Sequence, residues 1–267
     1  MKKLLKNLLS PIHNFIYSKN IRTFLKLYLR FSNAKRFKET KINFLNYFFI
    51  VPDSLSFVYQ FKEIFVDQIY KFKNVSDEPI IYDCGANVGT SILYFKKNYP
   101  NAIIKAFEPD KKIFSYLKNN LIDNGINNVL LENNAVWINN DGISFSSDGA
   151  DGGSMFGADN VTLVSSVRLR DLLSKEKLVD MLKMDIEGSE VEVIMDCVDV
   201  LDKVNNLFVE YHSWSKQPQK LDELLQVLSK AGFRYYLQTI KIQSEPFVNK
   251  GSGMLMDLQL NISAYRI

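Results

Sequence analysis

Short apolar runs alternate with longer amphipathic stretches along the chain from about residue 77. Runs such as PIIYDCG and AIIKAFEP have the length and composition of buried strands, whereas TSILYFKKNYP and DKKIFSYLKNNLIDNG place apolar residues three and four apart, as helices do. The alternation continues through NVLLENNAV, MLKMDI, EGSEVEVIMDCVDVL, NNLFVEYH, QKLDELLQVLSKAG and FRYYLQTI. This order predicts an α/β fold with a mostly parallel sheet and helices on both of its faces.

A polar residue stands at the end of each of the first five predicted strands. These residues are Asp83, Glu108, Asn134, Asp185 and Glu210. In open α/β sheets, ligands bind outside the carboxyl ends of the strands. We therefore expect the five side chains to line one crevice.

The loop after the first strand contains two glycines, Gly85 and Gly89, which allow a tight turn and a close approach of the backbone to a ligand. The GxGxxG pattern of dinucleotide-binding loops is not met, because position 87 is Asn and position 90 is Thr. Glu108 follows Asp83 at about the spacing at which an acid meets ribose hydroxyls. A nucleoside ligand without a pyrophosphate fits this pattern better than a dinucleotide.

Five motifs, in order, resemble the FkbM family of class I methyltransferases that depend on S-adenosylmethionine. They are D-C-G-A-N-V-G at 83–89, F-E-P at 107–109, N-A-V at 134–136, L-K-M-D-I-E-G-S-E at 182–190 and V-E-Y-H at 209–212. The resemblance runs from about residue 57 to 240. It implies a Rossmann-like, seven-stranded sheet in a domain over 76–267, and O-methylation of a sugar, glycan or natural product. Residues 1–75 form a separate, basic helical segment in this interpretation.

The resemblance also implies a set of cofactor-binding residues. They are Asp83, Gly85, Asn87, Gly89, Glu108, Asn134, Ala135 and Asp185. The glycines admit the methionine part of the cofactor, and Asp83 and Asn87 hold its polar end or the shape of the loop. Glu108 accepts hydrogen bonds from the ribose hydroxyls, which suits the two oxygens of a carboxylate. Asn134 and Ala135 lie at the adenine edge.

The expected catalytic residues are His212, Glu210 and Asp185. Methyl transfer to a hydroxyl requires removal of the hydroxyl proton, and the ordinary pKa of a histidine suits His212 to be that base. Alternatively, Asp185 and Glu210 bind a divalent metal ion that lowers the pKa of the hydroxyl. The base is favoured, because a hard cation wants about six oxygen ligands and only two carboxylates are well placed. Glu187 is a further candidate on the acceptor side, although it and Glu190 also suit the start of the following helix.

The N-terminal segment differs chemically from the rest of the chain. Residues 1–43 carry eleven Lys and Arg and a single acid, Glu39, which gives +10, whereas the remainder carries −7. One predicted apolar helical stripe consists of Leu4, Leu5, Leu8, Leu9 and Ile12, and a second of Ile21, Phe24, Leu25, Tyr28 and Phe31. Such a segment packs as a cap on the main domain or lies on an anionic membrane surface. Nucleic acid is a less favoured partner, because no aromatic–glycine RNA-binding signature is present.

The composition of the chain indicates a cellular compartment but little about function. Only Cys84 and Cys197 are present, which form neither a disulfide framework nor a metal-binding spacing. With no cleavable leader pattern and no apolar run of membrane-spanning length, a cytoplasmic protein is expected, in one variant peripheral at the inner membrane face. Two alternative functions remain, an RNA methyltransferase and a non-catalytic cofactor-binding scaffold in a glycan-assembly complex. Gly152, Gly153 and Ser154, in a polar loop, either contact ligand or form a solvated turn.

Overall fold

The computed structural model describes residues 18–73, 76–146, 161–240, 245, 247–248 and 256–267. The strands are β1 (Thr40–Phe44), β2 (Tyr47–Val51), β3 (Ile80–Cys84), β4 (Ile103–Phe107), β5 (Val129–Glu132), β6 (Ala135–Trp137), β7 (Ile143–Ser146), β8 (Val161–Val164), β9 (Ser166–Arg168), β10 (Val179–Met184), β11 (Val204–Trp214), β12 (Arg234–Thr239) and β13 (Met256–Tyr265). The α-helices are α1 (Lys19–Phe31), α2 (Ser54–Phe61), α3 (Thr90–Asn98), α4 (Lys111–Asp123), α5 (Leu169–Ser174), α6 (Glu190–Asp196) and α7 (Leu221–Lys230). A π-helical turn, Lys62–Val66, follows α2, and a 3₁₀ turn covers Leu201–Lys203.

Seven strands form the central sheet in the order β12-β13-β11-β10-β3-β4-β5. Strand β13 runs antiparallel to both of its neighbours, β11 and β12, and the pairs from β11 to β5 are parallel. Every residue of β10 is buried, as expected for a central strand covered on both faces. The predicted mostly parallel, seven-stranded α/β fold is confirmed.

Two hydrophobic clusters cover the two faces of the sheet. Alternate residues of β3 point to opposite faces, so that Ile81 packs with Ile92 of α3 and Leu117 of α4, whereas Tyr82 belongs to the cluster that contains α6 and α7. The helices therefore lie on both faces, as the sequence predicts.

The parallel pairing between neighbouring strands stops at one level. Cys84 pairs with both Met184 and Phe107, Phe107 pairs with Glu132, and Met184 pairs with Val209. The residue that follows each of these positions therefore lies on a common rim, from which the functional site is built.

Two strand ends differ from the sequence prediction. Strand β5 ends at Glu132, and the chain then leaves the central sheet, because β6 pairs with β9 in a separate two-stranded sheet. Asn134 consequently lies in the bend between β5 and β6. Strand β11 does not end at His212, because its antiparallel partner β13 continues to pair with it as far as Trp214.

The polar region after the third strand contains an antiparallel hairpin, in which β7 pairs with β8. Gly152, Gly153 and Ser154 lie outside the described residues, so their contact with a ligand stays a prediction.

The N-terminal segment contains the hairpin β1–β2 in addition to helices. Phe44, Phe57 and Phe61 pack with edge-to-face or tilted rings and belong to the same hydrophobic cluster as α3 and α4. The segment thus shares its core with the sheet, and the division at residue 75 stays a prediction.

Helix α1 packs on the rest of the chain through a face that overlaps the predicted stripe only in part, at Phe24 and Phe31. Leu27 and Phe31 are buried, whereas Leu25, Tyr28 and Leu29 are exposed, the last to 81%. Among the described residues, none of the helices has the length and apolar character needed to cross a membrane. Residues 1–17 lie outside the described ranges, and attachment of residues 1–43 to a membrane surface stays a prediction.

Candidate active site

A crevice of about 300 Å³ lies on the rim of the sheet, at the carboxyl ends of the parallel strands. Its wall includes the predicted site residues Gly85, Asn87, Glu108, Asn134, Ala135, Asp185 and Glu210. The structure therefore brings together residues that are far apart in the sequence. Asp83, Gly89 and His212 are not on this wall, and their positions are described below.

The loop after β3 requires glycine at position 85. Gly85 has a φ of 83°, and a Cβ atom there would lie 1.8 Å from the backbone oxygen of Asp185. The amides of Gly85 and Ala86 both donate to the carbonyl of Phe107, at 3.0 and 2.9 Å. The loop is thus fixed between the ends of β4 and β10, and Asn87, with a φ of 48°, continues it in the left-handed region.

Gly89 has a structural position instead. It precedes α3 with a φ of 94°, and a Cβ atom there would lie 2.9 Å from the Cδ1 atom of Leu117. The absence of a side chain lets α3 pack closely against α4. Gly89 supports the loop from behind.

A buried ionic group lies beneath the loop. Asp83 is fully buried and accepts a hydrogen bond from Ser91 Oγ at 2.5 Å. The Nζ atom of Lys183 lies 3.4 Å from Asp83 and 3.3 Å from Asp185, and it donates to the carbonyl of Gly85. Burial alone would lower the pKa of Lys183, but Asp185 and Asp83 raise it well above its usual value. Lys183 therefore holds the loop and Asp185 together as a cation.

Glu108 fixes the loop and also faces the crevice. One of its carboxylate oxygens accepts from the amide of Asn87 at 3.0 Å, and the other accepts from the amide of Asp110 at 2.9 Å. Each carboxylate oxygen has room for a second hydrogen bond, so these contacts leave accepting capacity for a ligand. Burial raises the pKa of Glu108 to about 7, although the two amides oppose this.

Part of the crevice wall comes from the N-terminal segment, which the sequence did not assign to the site. Tyr59, Gln60 and Glu63 line the crevice from α2 and the π-helical turn. Burial raises the pKa of Glu63 to about 7, with further contributions from the charges of Glu210 and Asp185. Glu63 therefore faces the same end of the crevice as those two carboxylates. Single π-helical turns are frequent at functional sites. The turn at Lys62–Val66 is visible only in the structure, where it indicates that this segment belongs to the site.

The turn between β10 and α6 is closed by Glu190. This residue is fully buried at the first position of α6, as expected for an acid at a helix start. Its carboxylate accepts from the amides of Ile186 and Gly188, at 3.1 and 3.0 Å, and contacts His212 Nδ1 at 3.0 Å. These contacts hold Glu187, whose φ is 61°, against the crevice.

His212 lies directly behind the crevice wall. It is 5% exposed, and its Nε2 atom lies 3.5 Å from Glu210 Oε1 and 3.8 Å from Glu187 Oε2, two carboxylates that do line the crevice. Burial alone would lower the pKa of His212, but Glu190 and Glu187 raise it well above its usual value. The acceptor end of the crevice is thus a carboxylate–imidazole group that consists of Asp185, Glu187, Glu210 and His212.

Comparisons with known proteins agree with this arrangement. The family model of the methyltransferase FkbM domain matches residues 83–235. The chain is 43% identical to methyltransferase sdnD of Sordaria araneosa over 77 residues, which cover 29% of each chain. It is 27% identical to methyltransferase 1 of Beauveria bassiana over 176 residues, which cover 56% of this chain and 71% of that protein. The chain thus spans less than a third of the length of sdnD.

The solved structures show the same fold at low sequence identity. An S-adenosylmethionine-dependent methyltransferase from Agrobacterium tumefaciens superposes with a TM-score of 0.50 and 11% identity, over 89% of this chain and 72% of that chain. The domain match begins at Asp83 and includes the rim residues after β3, β4 and β10, together with Glu210 within β11. On this evidence, the chain belongs to the FkbM family of S-adenosylmethionine-dependent methyltransferases.

Proposed function

We propose that this protein transfers the methyl group of S-adenosylmethionine to a hydroxyl oxygen of a glycan or a natural product. One observation carries the proposal: the crevice has two chemically different ends that meet at Asp185. The glycine loop, Glu108 and Asn134 form one end, and the carboxylate–imidazole group forms the other. A nucleoside-binding end beside a proton-accepting end suits methyl transfer to a hydroxyl.

The first end fits the cofactor. Gly85 lines this end, and only glycine allows its backbone to pass so close to that of Asp185. Both oxygens of Glu108 retain capacity to accept from hydroxyls. Asn134 and Ala135 lie farther along the same wall, where they can meet a base edge. When bound, S-adenosylmethionine supplies an electrophilic methyl group on a positively charged sulfur. The chain's own contribution is to hold that group in line with the acceptor.

Cofactor affinity is expected to rise about tenfold between pH 6 and pH 8. Glu108 has a pKa of about 7 in the free protein, and its ionised form is the better acceptor for two hydroxyls. Because binding favours the ionised form, affinity is low below this pKa and reaches its plateau above it. Isothermal titration calorimetry with S-adenosylhomocysteine at several pH values measures the effect.

Glu108→Gln is expected to weaken binding by about 1 to 3 kcal/mol and to remove this pH dependence. The side chain of Gln has only one accepting oxygen, and its NH2 group is a donor. The backbone N–H of either Asn87 or Asp110 would therefore face another donor. Glu63→Gln is the matched control, because Glu63 has a similar pKa but lies at the acceptor end. If the pH dependence persisted in Glu108→Gln and disappeared in Glu63→Gln, Glu63 and not Glu108 would be its cause.

The second end suits a polar acceptor. Ser56, Tyr59 and Gln60 from the N-terminal segment bring hydroxyl and amide groups to the wall of the crevice. Side chains of this kind hydrogen-bond the hydroxyls of a polyol. The acceptor's proton then passes to the carboxylate–imidazole group, in which Glu187 and Glu210 face the crevice and His212 stands behind them. The role of His212 as general base remains a prediction.

The experiment that tests the proposal is a methyl-transfer assay with isotopically labelled S-adenosylmethionine and a panel of sugars, glycans and hydroxylated natural products. We expect a product whose mass rises by one methyl group and whose NMR spectrum shows a methyl ether. Methylation of a nitrogen or a carbon atom would overturn the choice of a hydroxyl. Transfer to RNA and to no small molecule would favour the alternative acceptor.

A further inference from the structure

We propose that Asp185, Glu187 and His212 bind a divalent cation of the Mg²⁺ or Mn²⁺ type at the acceptor end of the crevice. The donor atoms of these three residues lie within 4.8 Å of one another. Only the role that we assign to the ion, holding the acceptor hydroxyl, rests on the proposed function. The site itself is argued from the described side chains.

The hydrogen-bond partners of His212 decide which of its ring nitrogens carries a hydrogen. The carboxylate of Glu190 already accepts from two backbone amides, and a carboxylate offers no donor, so His212 Nδ1 carries the hydrogen toward it. In the neutral ring, Nε2 is then a lone-pair acceptor. Glu210 Oε1 accepts from the amide of Gln259, whose nitrogen also lies 3.4 Å from His212 Nε2. On its other side, Nε2 faces Glu187 Oε2 at 3.8 Å, which is an acceptor too. Two acceptors that face each other suit a cation between them, either a proton or a metal ion.

The distances distinguish these two cations. Charge-assisted hydrogen bonds from nitrogen to a carboxylate are about 2.7 to 2.9 Å long. The separations from Nε2, 3.5 Å to Glu210 and 3.8 Å to Glu187, are longer than that. Two ligands that share an ion at about 2.1 Å each stand roughly 3.0 to 4.2 Å apart, depending on the angle between them. The 3.8 Å separation between His212 Nε2 and Glu187 Oε2, which both belong to the proposed ligand set, therefore matches a pair bridged by a metal ion.

The arrangement behind the ligands also matches a metal site. Metal-binding histidines usually donate their other ring N–H to a carboxylate or carbonyl, which fixes the tautomer and the orientation of the ring. Glu190 holds His212 in this way and, through the amides of Ile186 and Gly188, also fixes the turn that carries Glu187. One element of the structure thus positions two of the three ligands.

The negative charge at this end of the crevice favours the binding of a cation. Glu63, Asp185, Glu187 and Glu210 all line this end of the crevice. Lys183 lies at the same wall, but it is shared between Asp83 and Asp185. Oxygen donors with one imidazole suit Mn²⁺ or Mg²⁺, which retain open positions for water or substrate. A hydroxyl bound at such a position loses its proton more readily, because the ion stabilises the oxygen anion.

The test is a Mn²⁺ titration of the full-length protein, after dialysis against a chelator, followed by electron paramagnetic resonance of the free aqueous ion. We expect one bound Mn²⁺ per chain. Asp185→Asn and Glu187→Gln are each expected to weaken binding at least about tenfold, because losing even a hydrogen-bond partner of a metal ligand usually costs about that much. Glu192→Gln is the matched control: Glu192 lies on α6, two residues beyond Glu190, and pairs with Lys220.

Circular dichroism and thermal unfolding establish that each variant is folded. Glu187→Gln is the safer variant, because Asp185 also takes part in the ion pair with Lys183. Absence of bound Mn²⁺ in the wild-type protein, or equal loss of binding in Glu192→Gln, would overturn the proposal. A doubly protonated His212 would then be the cation between the carboxylates.

The outcome for the metal site can be separated from that for the proposed function. If one Mn²⁺ binds through Asp185 and Glu187 but no methyl ether forms from any acceptor, the site stands and the proposed function fails. If a methyl ether forms at an unchanged rate in chelator and no Mn²⁺ binds, the proposed function stands and the site fails.

Discussion

Gly85→Ala is expected to destabilise the protein by roughly 2 to 5 kcal/mol and to abolish measurable cofactor binding. A left-handed backbone costs a non-glycine residue about 1 to 2 kcal/mol. At position 85 a second cost is added, because the new Cβ would lie 1.8 Å from the backbone oxygen of Asp185. Since backbone atoms on both sides of the contact are held by β3 and β10, the loop has to move, and the loop is the floor of the cofactor end.

Gly125→Ala separates the two costs. Gly125 follows α4 with a φ of 63°, so it carries a similar left-handed strain, but nothing lies within 4 Å of a Cβ added there. We expect this variant to lose only about 1 kcal/mol and to bind the cofactor normally. Urea denaturation gives the free energies of unfolding, and calorimetry gives the affinities. Equal destabilisation of the two variants would show that the approach to Asp185 does not matter.

The sheet and the rim of the crevice could be predicted from the sequence for a physical reason. A central parallel strand is apolar along its whole length, and its first polar residue marks the point where the chain leaves the buried interior. Asp185 and Glu210 follow Met184 and Val209, which are paired neighbours in β10 and β11. A polar residue directly after an apolar run therefore reports a position on the rim, provided that the strands are in register.

This rule fails where pairing partners, and not hydrophobicity, decide the end of a strand. Asn134 lies beyond the end of β5, because the residues after it pair with β9. His212 lies inside β11, because β13 continues as its neighbour. The partner strand is far away in the sequence in both cases, so the local pattern carries no information about it.

The contacts of the buried charges could not be predicted, for a related reason. Lys183 and Glu190 are almost fully buried, where an unpaired charge would be strongly unfavourable. Each is tolerated because its partners, such as Asp83 for Lys183 and His212 for Glu190, arrive from distant segments. Their positions in L-K-M-D-I-E-G-S-E were visible, but only the tertiary contacts assign them a task. The same holds for Glu63, since nothing in its own segment indicates that the segment packs across the crevice.

His212→Ala is expected to lower kcat roughly 10²- to 10⁴-fold, while the affinity for the cofactor stays close to that of the wild type. The imidazole lies behind Glu187 and Glu210 at the acceptor end, and its contacts do not include the glycine loop or Glu108. The expected loss follows whether His212 takes a proton or binds a metal ion, because either role concerns the acceptor oxygen. Single-turnover kinetics and calorimetry on the same preparation measure the two quantities.

Ser213→Ala is the matched control for this prediction. Ser213 is the next residue of β11 and is also buried, but its Oγ atom has no hydrogen-bond partner among the described residues. Ser213→Ala should therefore leave kcat unchanged, since adjacent residues of a strand point to opposite faces and Ser213 points away from the side chain of His212. A fully active His212→Ala enzyme would remove His212 from the reaction. A loss of cofactor affinity as large as the loss of kcat would instead mean that the imidazole only supports the fold of the crevice.

The effect of a chelator on the wild-type enzyme then distinguishes the two roles of the imidazole. If His212 binds a metal ion, chelation lowers the wild-type rate toward that of His212→Ala, and added Mn²⁺ restores it in the wild type alone. If His212 is a general base, the wild-type rate survives the chelator and only the substitution lowers it. The two acceptors that face each other, His212 Nε2 and Glu187 Oε2, lead us to expect the first result.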